Sequence, residues 1–348
     1  MTSNNAKEDI SKLLELWYQQ RMALTDAKIS QFSTPISGVV NETYVHSVNF
    51  SKNNSTITQD AVLRMQPATS ETPIPNVDVL EQAFVLRQLE QFEELLTPKV
   101  LAVESDPSFL GRPFYLMEKM AGEAIFDEET VTSDPKRLRY LYEQAIAMLA
   151  RIHAIDWQNT ELKSLYFATQ TKSSLQVQLE QYRAHLDEAS TEKSYPMFEQ
   201  AYDYLINNIP EQSEAVLNWG DARVGNLLYD GDQLSAVLDW EIAAIAAREV
   251  DVGWFIYFER FLRNNAAKER LGAPSDDEIV ALYQQYSGVK LSNLDYYQRW
   301  AAFRLSVMRL RAGLFDIKNG IEEPDSKVEE VNFATIEMAR LFGYPEPN

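Results

Sequence analysis

Residues 216–241 read V-L-N-W-G-D-A-R-V-G-N-L-L-Y-D-G-D-Q-L-S-A-V-L-D-W-E, and this stretch is the most informative part of the chain. Two apolar runs flank an Asp-Gly pair at 230–231, which is typical of the tight turn in a β-hairpin. Because a hairpin returns to the end from which it started, we expect Asn226 and Asp239 to lie at the same edge. Asp221 falls in the loop immediately before the hairpin.

Two carboxylates and one amide oxygen would therefore converge at this edge. Oxygen ligands of this kind suit Mg²⁺, which proteins commonly bind together with the phosphates of a ligand. The pattern predicts a site for phosphoryl transfer, in which Asp221 accepts or orients the proton of the attacking hydroxyl. Asn226 and Asp239 are then the expected Mg²⁺ ligands. The alternative is that these residues only cap turns, as Asp and Asn often do.

The composition excludes several classes of site. The 348 residues suffice for one large domain or two lobes, and the 45% apolar and 24% charged fractions are ordinary for a soluble globular protein. Since Cys is absent, disulfides, thiolate metal sites and Cys nucleophiles are excluded. The formal charge of −20 argues against general affinity for nucleic acid or anionic membranes; it suits either a cationic substrate or simple solubility.

No apolar run resembles a signal peptide or reaches the length of a membrane span. We therefore expect a cytoplasmic protein that does not bind membranes, either a monomer or a homodimer.

The periodic segments predict an α+β fold. A β-rich N-terminal lobe is expected over 1–117 and a mainly helical C-terminal lobe over 118–348, with the chemistry at their junction. After Arg137 the hairpin at 226–239 is the only clear β signal. The expected helices are 11–24, 79–96, 138–154, 175–186, 197–209 and 294–312, and the expected strands of the first lobe are 44–50, 61–65, 99–103 and 113–117.

The spacing Asp-x-x-x-x-Asn, followed beyond a hairpin by another Asp, resembles the catalytic loop and metal-binding Asp of protein-kinase-like enzymes. The segments W-G-D-A-R-V-G-N-L-L and A-V-L-D-W-E are similar to the aminoglycoside phosphotransferase and choline kinase-like family. Within it they most resemble the branch of phosphotransferase domains fused to some acyl-CoA dehydrogenases. The resemblance implies a bilobal protein-kinase-like fold that uses ATP and Mg²⁺. Because much of the family has His where this chain has Trp219, we expect the indole to brace the loop by packing.

The resemblance also implies phosphate-binding residues in the first lobe. Arg64 stands where many relatives have a basic residue, and Glu81 stands where its helix partner is expected. The alternative is an exposed surface pair of little energetic weight. Ser37, Gly38 and Asn41 resemble the turn that covers the phosphates in this branch.

The segment F-Y-L-M-E-K-M at 114–120 resembles the hinge between lobes. We expect the adenine of the nucleotide to bond to backbone groups near Glu118 and Met120. Asp251 stands where the family has an acid that braces the catalytic loop.

Several residues of the second lobe are candidates for contacts with the substrate. Arg223 could reach a phosphate or an acidic group of the substrate, or could instead pair with an acidic neighbour. The helical spacing of the remaining candidates is explained as well by packing between helices. They are Trp254, Phe258, Tyr297 and Arg304.

Together these observations predict an ATP-dependent phosphotransferase that moves the γ-phosphoryl group to a hydroxyl of a small molecule. The resemblance implies an aminoglycoside-like, amino-alcohol or hydroxyacyl-CoA acceptor. Protein substrates are disfavoured because no A-P-E segment follows Asp239. Two other classes remain open: a nucleotide-binding pseudoenzyme with a regulatory or scaffold role, and a metal-dependent hydrolase that uses the two carboxylates.

Overall fold

The computed structural model describes residues 4–34, 42–68, 78–125, 134–169, 171–211, 213–265, 269–323 and 325–348. These residues divide into two structural units. The first contains the described parts of Met1–Ser70, Asn76–Gln91 and Thr97–Met120, and the remaining described residues form the second. Both helices and antiparallel sheets are present, so the predicted α+β class is confirmed.

The first unit is an antiparallel sheet with two helices. Its elements are α1 (Asn4–Arg21), β1 (Lys28–Ser33), β2 (Glu42–Lys52), β3 (Ser55–Met65), α2 (Val79–Leu89), β4 (Val100–Glu104) and β5 (Phe114–Glu118). The order of the strands across the sheet is β1-β2-β3-β5-β4. The alternation read from the sequence of β2 is confirmed, since Tyr44, His46, Val48 and Phe50 are all buried. The edge of the indole of Trp17, on α1, packs on Phe114 of β5 with ring centroids 5.3 Å apart.

The second unit is mainly helical. Its helices are α3 (Pro135–Ile152), α4 (Ser174–Ala189), α5 (Pro196–Asn207), α6 (Arg248–Asn265), α7 (Asp276–Ser287), α8 (Leu294–Lys318) and α9 (Phe333–Phe342). Its strands are β6 (Glu123–Ala124), β7 (Ala215–Asn218), β8 (Leu227–Asp230), β9 (Gln233–Val237) and β10 (Ala244–Ala247).

The hairpin predicted at 226–239 is confirmed, because β8 pairs with β9. Its turn residues are Gly231 and Asp232, one position later than the predicted Asp-Gly pair, since Asp230 still pairs with Gln233. The expectation that the hairpin would be the only β structure after Arg137 is wrong. Strand β7 pairs antiparallel with β10, with Asn218 opposite Ala244. Both strands are only four residues long, too short for an alternating pattern to distinguish them from loop.

Helices α6 and α8 approach each other closely at Gly253. A Cβ atom on Gly253 of α6 would lie 2.9 Å from the backbone carbonyl carbon of Tyr297 on α8. Only glycine permits this distance, which brings the following residue, Trp254, against the face of α8 that carries Arg304. None of the helices in the described ranges is both long and apolar enough to cross a membrane.

Candidate functional site

A buried carboxylate, that of Asp251, holds the loop that carries Asp221. Asp251, in the first turn of α6, has no solvent exposure and accepts hydrogen bonds from two backbone amides of the loop. The nitrogen of Trp219 lies 2.6 Å from its Oδ2, and that of Gly220 lies 2.9 Å from its Oδ1. The backbone nitrogen of Asp251 in turn donates to Oδ1 of Asn218 at 3.1 Å. The bracing role that the resemblance implied for Asp251 therefore has a direct structural basis.

His153 belongs to the same buried network. Its Nε2 lies 3.2 Å from Oδ2 of Asp251, and its Nδ1 lies 2.6 Å from the hydroxyl of Tyr283. Because the ring contacts the brace and not Asp221, the geometry favours support of the loop over a direct chemical role.

Two residues of the site, Gly220 and Asp239, have a positive φ. Gly220 has a φ of +94°, and a Cβ atom there would lie 2.2 Å from the carbonyl oxygen of Ile242. Asp239 has a φ of +61°, a conformation uncommon for a residue other than glycine. Such strain often occurs at functional sites, where the surrounding structure stabilises it.

The carboxylate of Asp221 is fixed by three side-chain donors. Nδ2 of Asn226 lies 2.6 Å and Nε of Arg223 2.9 Å from its Oδ2. Nε1 of Trp254 lies 2.9 Å from its Oδ1. The carboxylate retains 18% exposure, so a small molecule can still reach it. A carboxylate held in this way presents its oxygens in one orientation, which suits the positioning of a hydroxyl group.

Asn226 and Asp239 lie at the same end of the hairpin, as the sequence predicts. Leu227 is opposite Val237, and the backbone nitrogen of Leu238 donates to the carbonyl oxygen of Asn226 at 2.9 Å. Asp239 is the next residue along the chain. The side-chain Nδ2 of Asn226 also donates to the backbone oxygen of Asp221, at 3.1 Å.

The donor set fits Mg²⁺. Because the amide nitrogen of Asn226 is bonded to Asp221, its Oδ1 is the atom that can bind a metal, together with the carboxylate of Asp239. Within the described ranges, no three His, Cys, Asp or Glu side chains are grouped as a metal site. A set with so few carboxylates is typical of Mg²⁺, which takes its remaining ligands from water and phosphates.

Arg223 pairs with an acidic neighbour, which was one of its two expected roles. Burial lowers the pKa of Arg223, but the charges of Asp221, Asp239 and Glu241 together raise it above its ordinary value. Its guanidinium lies 5.7 Å from the ring centroid of Phe258. Glu241, which the sequence interpretation did not select, is therefore part of this electrostatic environment.

Three other candidate substrate residues of the second unit form a layer of side chains that contacts Asp221 through Trp254. They are Trp254, Phe258 and Arg304. The ring of Trp254 lies 5.0 Å from that of Phe258, and the Cζ atom of Arg304 lies 4.5 Å from the ring of Trp254. Tyr297 is buried within the packing of α6 against α8. The geometry thus connects Trp254, Phe258 and Arg304 to Asp221, whereas Tyr297 serves the helix contact.

In the first unit, Arg64 of β3 contacts α2 through a residue other than the expected one. Its Nη2 lies 3.4 Å from Oε1 of Gln82, while Glu81 is exposed beside Asp78. Among the described residues, Arg64 thus contacts Gln82 and not Glu81, and the role of Glu81 at the nucleotide stays a prediction. Neighbouring helix residues point about 100° apart, so a shift of one position exchanges the side chain that faces the sheet.

Glu118 ends strand β5, and its amide nitrogen donates to the carbonyl oxygen of Lys99 at 2.9 Å. That N–H is therefore already engaged, and an adenine would have to use the carbonyl of Glu118 or the backbone of Met120. The expected phosphate-covering residues Ser37, Gly38 and Asn41 lie outside the described residues.

Several known proteins are similar to this chain in sequence or structure. The chain is 29% identical over 263 residues to acyl-CoA dehydrogenase family member 10 of Mus musculus, a match covering 71% of this chain but only 24% of that protein. The chain thus spans about a quarter of that relative. This match confirms the resemblance to proteins named as acyl-CoA dehydrogenases.

Among solved structures, a candidate aminoglycoside phosphotransferase from Ralstonia eutropha JMP134 has a TM-score of 0.69 at 21% identity, covering 96% of this chain and 98% of that one. Plasmodium vivax ethanolamine kinase has a TM-score of 0.59 at 15% identity, covering 94% and 86%. A thermostable mutant of aminoglycoside phosphotransferase APH(4)-Ia, in ternary complex with ADP and hygromycin B, has a TM-score of 0.55 at 14% identity, covering 94% and 98%.

These likenesses confirm the predicted kinase-like phosphotransferase fold. The family model described as the phosphotransferase enzyme family matches residues 47–291, which include Asp221, Asn226 and Asp239. By sequence, this chain belongs to that phosphotransferase enzyme family.

Proposed function

We propose that this protein transfers the γ-phosphoryl group of ATP to a hydroxyl group of a small molecule. The observation that carries the proposal is the bond between Asn226 and Asp221, 2.6 Å long, at the hairpin end that also carries Asp239. The side-chain amide of Asn226 thus links Asp221, which would position the acceptor, to the metal site that Asn226 and Asp239 would form.

In the proposed reaction the acceptor hydroxyl oxygen forms a bond to the γ-phosphorus, and the bond from that phosphorus to the bridging oxygen breaks, releasing ADP. The hydroxyl proton passes to an Oδ atom of Asp221. Because the transition state of such transfers is loose, the hydroxyl needs little deprotonation before the new bond forms, and its orientation is the main requirement. Asp221, fixed by three donors, supplies that orientation.

Asn226 and Asp239 would hold Mg²⁺, which neutralises phosphate charge when it is bound. Arg223 stabilises the carboxylate of Asp221 and, with its side chain 31% exposed, is also available to the negative charge of the transferred group. In the first unit, Arg64 is proposed to contact the nucleotide phosphates, and its contact with Gln82 fixes its direction. Ser37, Gly38 and Asn41 retain their predicted role at the phosphates, and Glu118 and Met120 theirs at the base.

The proposal is tested by measuring the release of ADP from Mg·ATP that depends on an added alcohol, with a panel of hydroxyl compounds as acceptors. The matched variants are Asp221→Asn and Asp230→Asn. Asp230 lies on the same hairpin, but it is exposed and at the opposite, turn end.

We expect Asp221→Asn to lower turnover by a factor of ~10²–10⁴, the range typical of a lost acid–base group. Asp230→Asn should retain wild-type turnover. Nucleotide binding without transfer to any acceptor would favour the pseudoenzyme, and equal turnover in both variants would contradict the role of Asp221.

A further inference from the structure

Arg304 is a buried cation surrounded by aromatic rings. It lies on α8 and is 5% exposed. Its Cζ atom lies 4.5 Å from the ring centroid of Trp254 and 5.7 Å from those of Trp300 and Tyr182. The guanidinium group is always charged, and ring faces compensate a buried charge only in part.

Among the described residues, Arg304 has no carboxylate partner within ion-pair distance. Its Nε atom is buried without a hydrogen bond there, and so is Nε1 of Trp300 beside it. Arg248 shows the ordinary arrangement, since it is equally buried and its Nη2 lies 2.7 Å from Oε2 of Glu214. A buried charge is normally paired, because removing it from water without a partner is costly. The environment of Arg304 is therefore one that an anion would complete.

The position of Arg304 relative to Asp221 identifies where such an anion would belong. Trp254 separates the two residues: its ring contacts the guanidinium of Arg304, and its Nε1 donates to Oδ1 of Asp221 at 2.9 Å. Arg304 and Asp221 therefore contact the same indole ring, so an anion bound at Arg304 would lie within the length of a small molecule whose hydroxyl is at Asp221.

We propose that Arg304 binds an anionic group of the acceptor, either a carboxylate or a phosphate. The inference rests on the proposed function and narrows its acceptor class. Both groups accept the paired hydrogen bonds that a guanidinium donates. A cationic end group at this position would be repelled by Arg304 at short range. The formal charge of −20 would not by itself attract an anion, so its recognition must come from local cations such as this one.

The first test compares acceptors that differ only in charge, with Mg·ATP and the wild-type protein. In the first series, 3-hydroxypropanoate is anionic, 1,3-propanediol is neutral and 3-amino-1-propanol is cationic. A second pair, glycerol 3-phosphate and glycerol, tests recognition of a phosphate in place of a carboxylate. We expect kcat/KM for an anionic member to exceed that of its neutral counterpart about tenfold or more, the effect of a hydrogen bond to a charged group. A preference for the neutral or cationic member would overturn the inference.

The second test measures binding and does not require turnover. Acetate and inorganic phosphate are titrated into protein saturated with Mg·AMP-PNP, a non-hydrolysable analogue of ATP, so that the position of the γ-phosphate is already filled. The variants are Arg304→Gln, Arg304→Lys and the control Arg309→Gln. Arg309 lies on the same helix and stacks on Phe333 at 5.7 Å, but it is less buried.

Arg304→Gln should weaken binding of at least one of the two anions about tenfold or more, Arg304→Lys should weaken it less, and Arg309→Gln should leave it unchanged. Absence of anion binding in the wild type, or binding that survives Arg304→Gln, would overturn the inference. The two proposals fail separately. Arg304-dependent anion binding without any alcohol-dependent release of ADP would refute only the phosphotransferase role, whereas turnover that favours cationic acceptors would refute only the anion site.

Discussion

The indole nitrogen of Trp219 donates a hydrogen bond to the backbone carbonyl oxygen of Leu238, with the two atoms 2.7 Å apart. Leu238 immediately precedes Asp239, so this bond ties the loop before Asp221 to the residue proposed to bind Mg²⁺. The indole therefore does more than pack in the place where much of the family has His.

Replacing Trp219 with Phe should weaken the binding of Mg·ATP. The ring is retained, but the half-buried carbonyl of Leu238 loses its donor, at a cost of about 1 kcal/mol, the net contribution typical of one hydrogen bond. The measurement is the dissociation constant of Mg·ATP by titration calorimetry. Trp157→Phe is the control, because Trp157 donates a similar bond to the carbonyl of Ala215, outside the hairpin. Equal affinities for the two variants would contradict this role of Trp219.

Replacing Gly220 with Ala should destabilise the protein far more than the same change at Gly231. Both residues have a positive φ, but only at Gly220 would the new Cβ atom collide with backbone, at 2.2 Å from the oxygen of Ile242. At Gly231 nothing lies within 4 Å, so the cost is the conformational preference alone, about 1 kcal/mol. Urea unfolding of both variants gives the two free energies. A similar loss for both would show that the loop around Gly220 can relax.

Stability should fall between pH 7 and pH 5 because of His46. Burial lowers the pKa of His46 to about 4, and the charge of Asp60 offsets only part of this effect. The unfolded chain binds a proton to this residue near pH 6.5 and the folded chain does not. The stability that the neutral form of His46 contributes to the folded chain is therefore fully present above pH 6.5 and is lost as pH falls toward 4.

The expected loss from His46 is about 2 kcal/mol between pH 7 and pH 5. The free energy of unfolding in urea should be measured at both pH values for the wild type and for His46→Gln. Between pH 7 and pH 5, the free energy of unfolding of the wild type should fall by that amount relative to the free energy of unfolding of the variant. A difference that stays constant with pH would contradict the buried, neutral state of His46, whose Nε2 lies 2.8 Å from the hydroxyl of Tyr18.

The parts of the site that follow from local sequence were predictable. The hairpin returns the chain to the edge from which it started, so the shared edge of Asn226 and Asp239 follows from the two apolar runs and the turn signal between them. The exact register was not predictable, because it shifts between Leu228 and Tyr229. The pairing of Arg64 depended instead on the rotation of α2 against the sheet, which spacing does not define, and Gln82 takes the place expected for Glu81.

Other features depend on contacts between distant segments. The charge of Glu241 acts on Arg223 only because the chain folds back after the hairpin. The layer of Trp254 and Arg304 requires α6 and α8 to meet at Gly253, and a helical pattern shows that a face is apolar without showing its partner.

The central claim, that Asn226 and Asp239 hold Mg²⁺ for a nucleotide beside Asp221, is tested most directly by calorimetric titration of ATP. The titrations use the wild type, Asp239→Asn and the control Asp230→Asn, each with and without Mg²⁺. Wild type and Asp230→Asn should bind ATP more tightly with Mg²⁺, and Asp239→Asn should lose that difference. No ATP binding by the wild type, or the same dependence on Mg²⁺ in all three proteins, would contradict the claim.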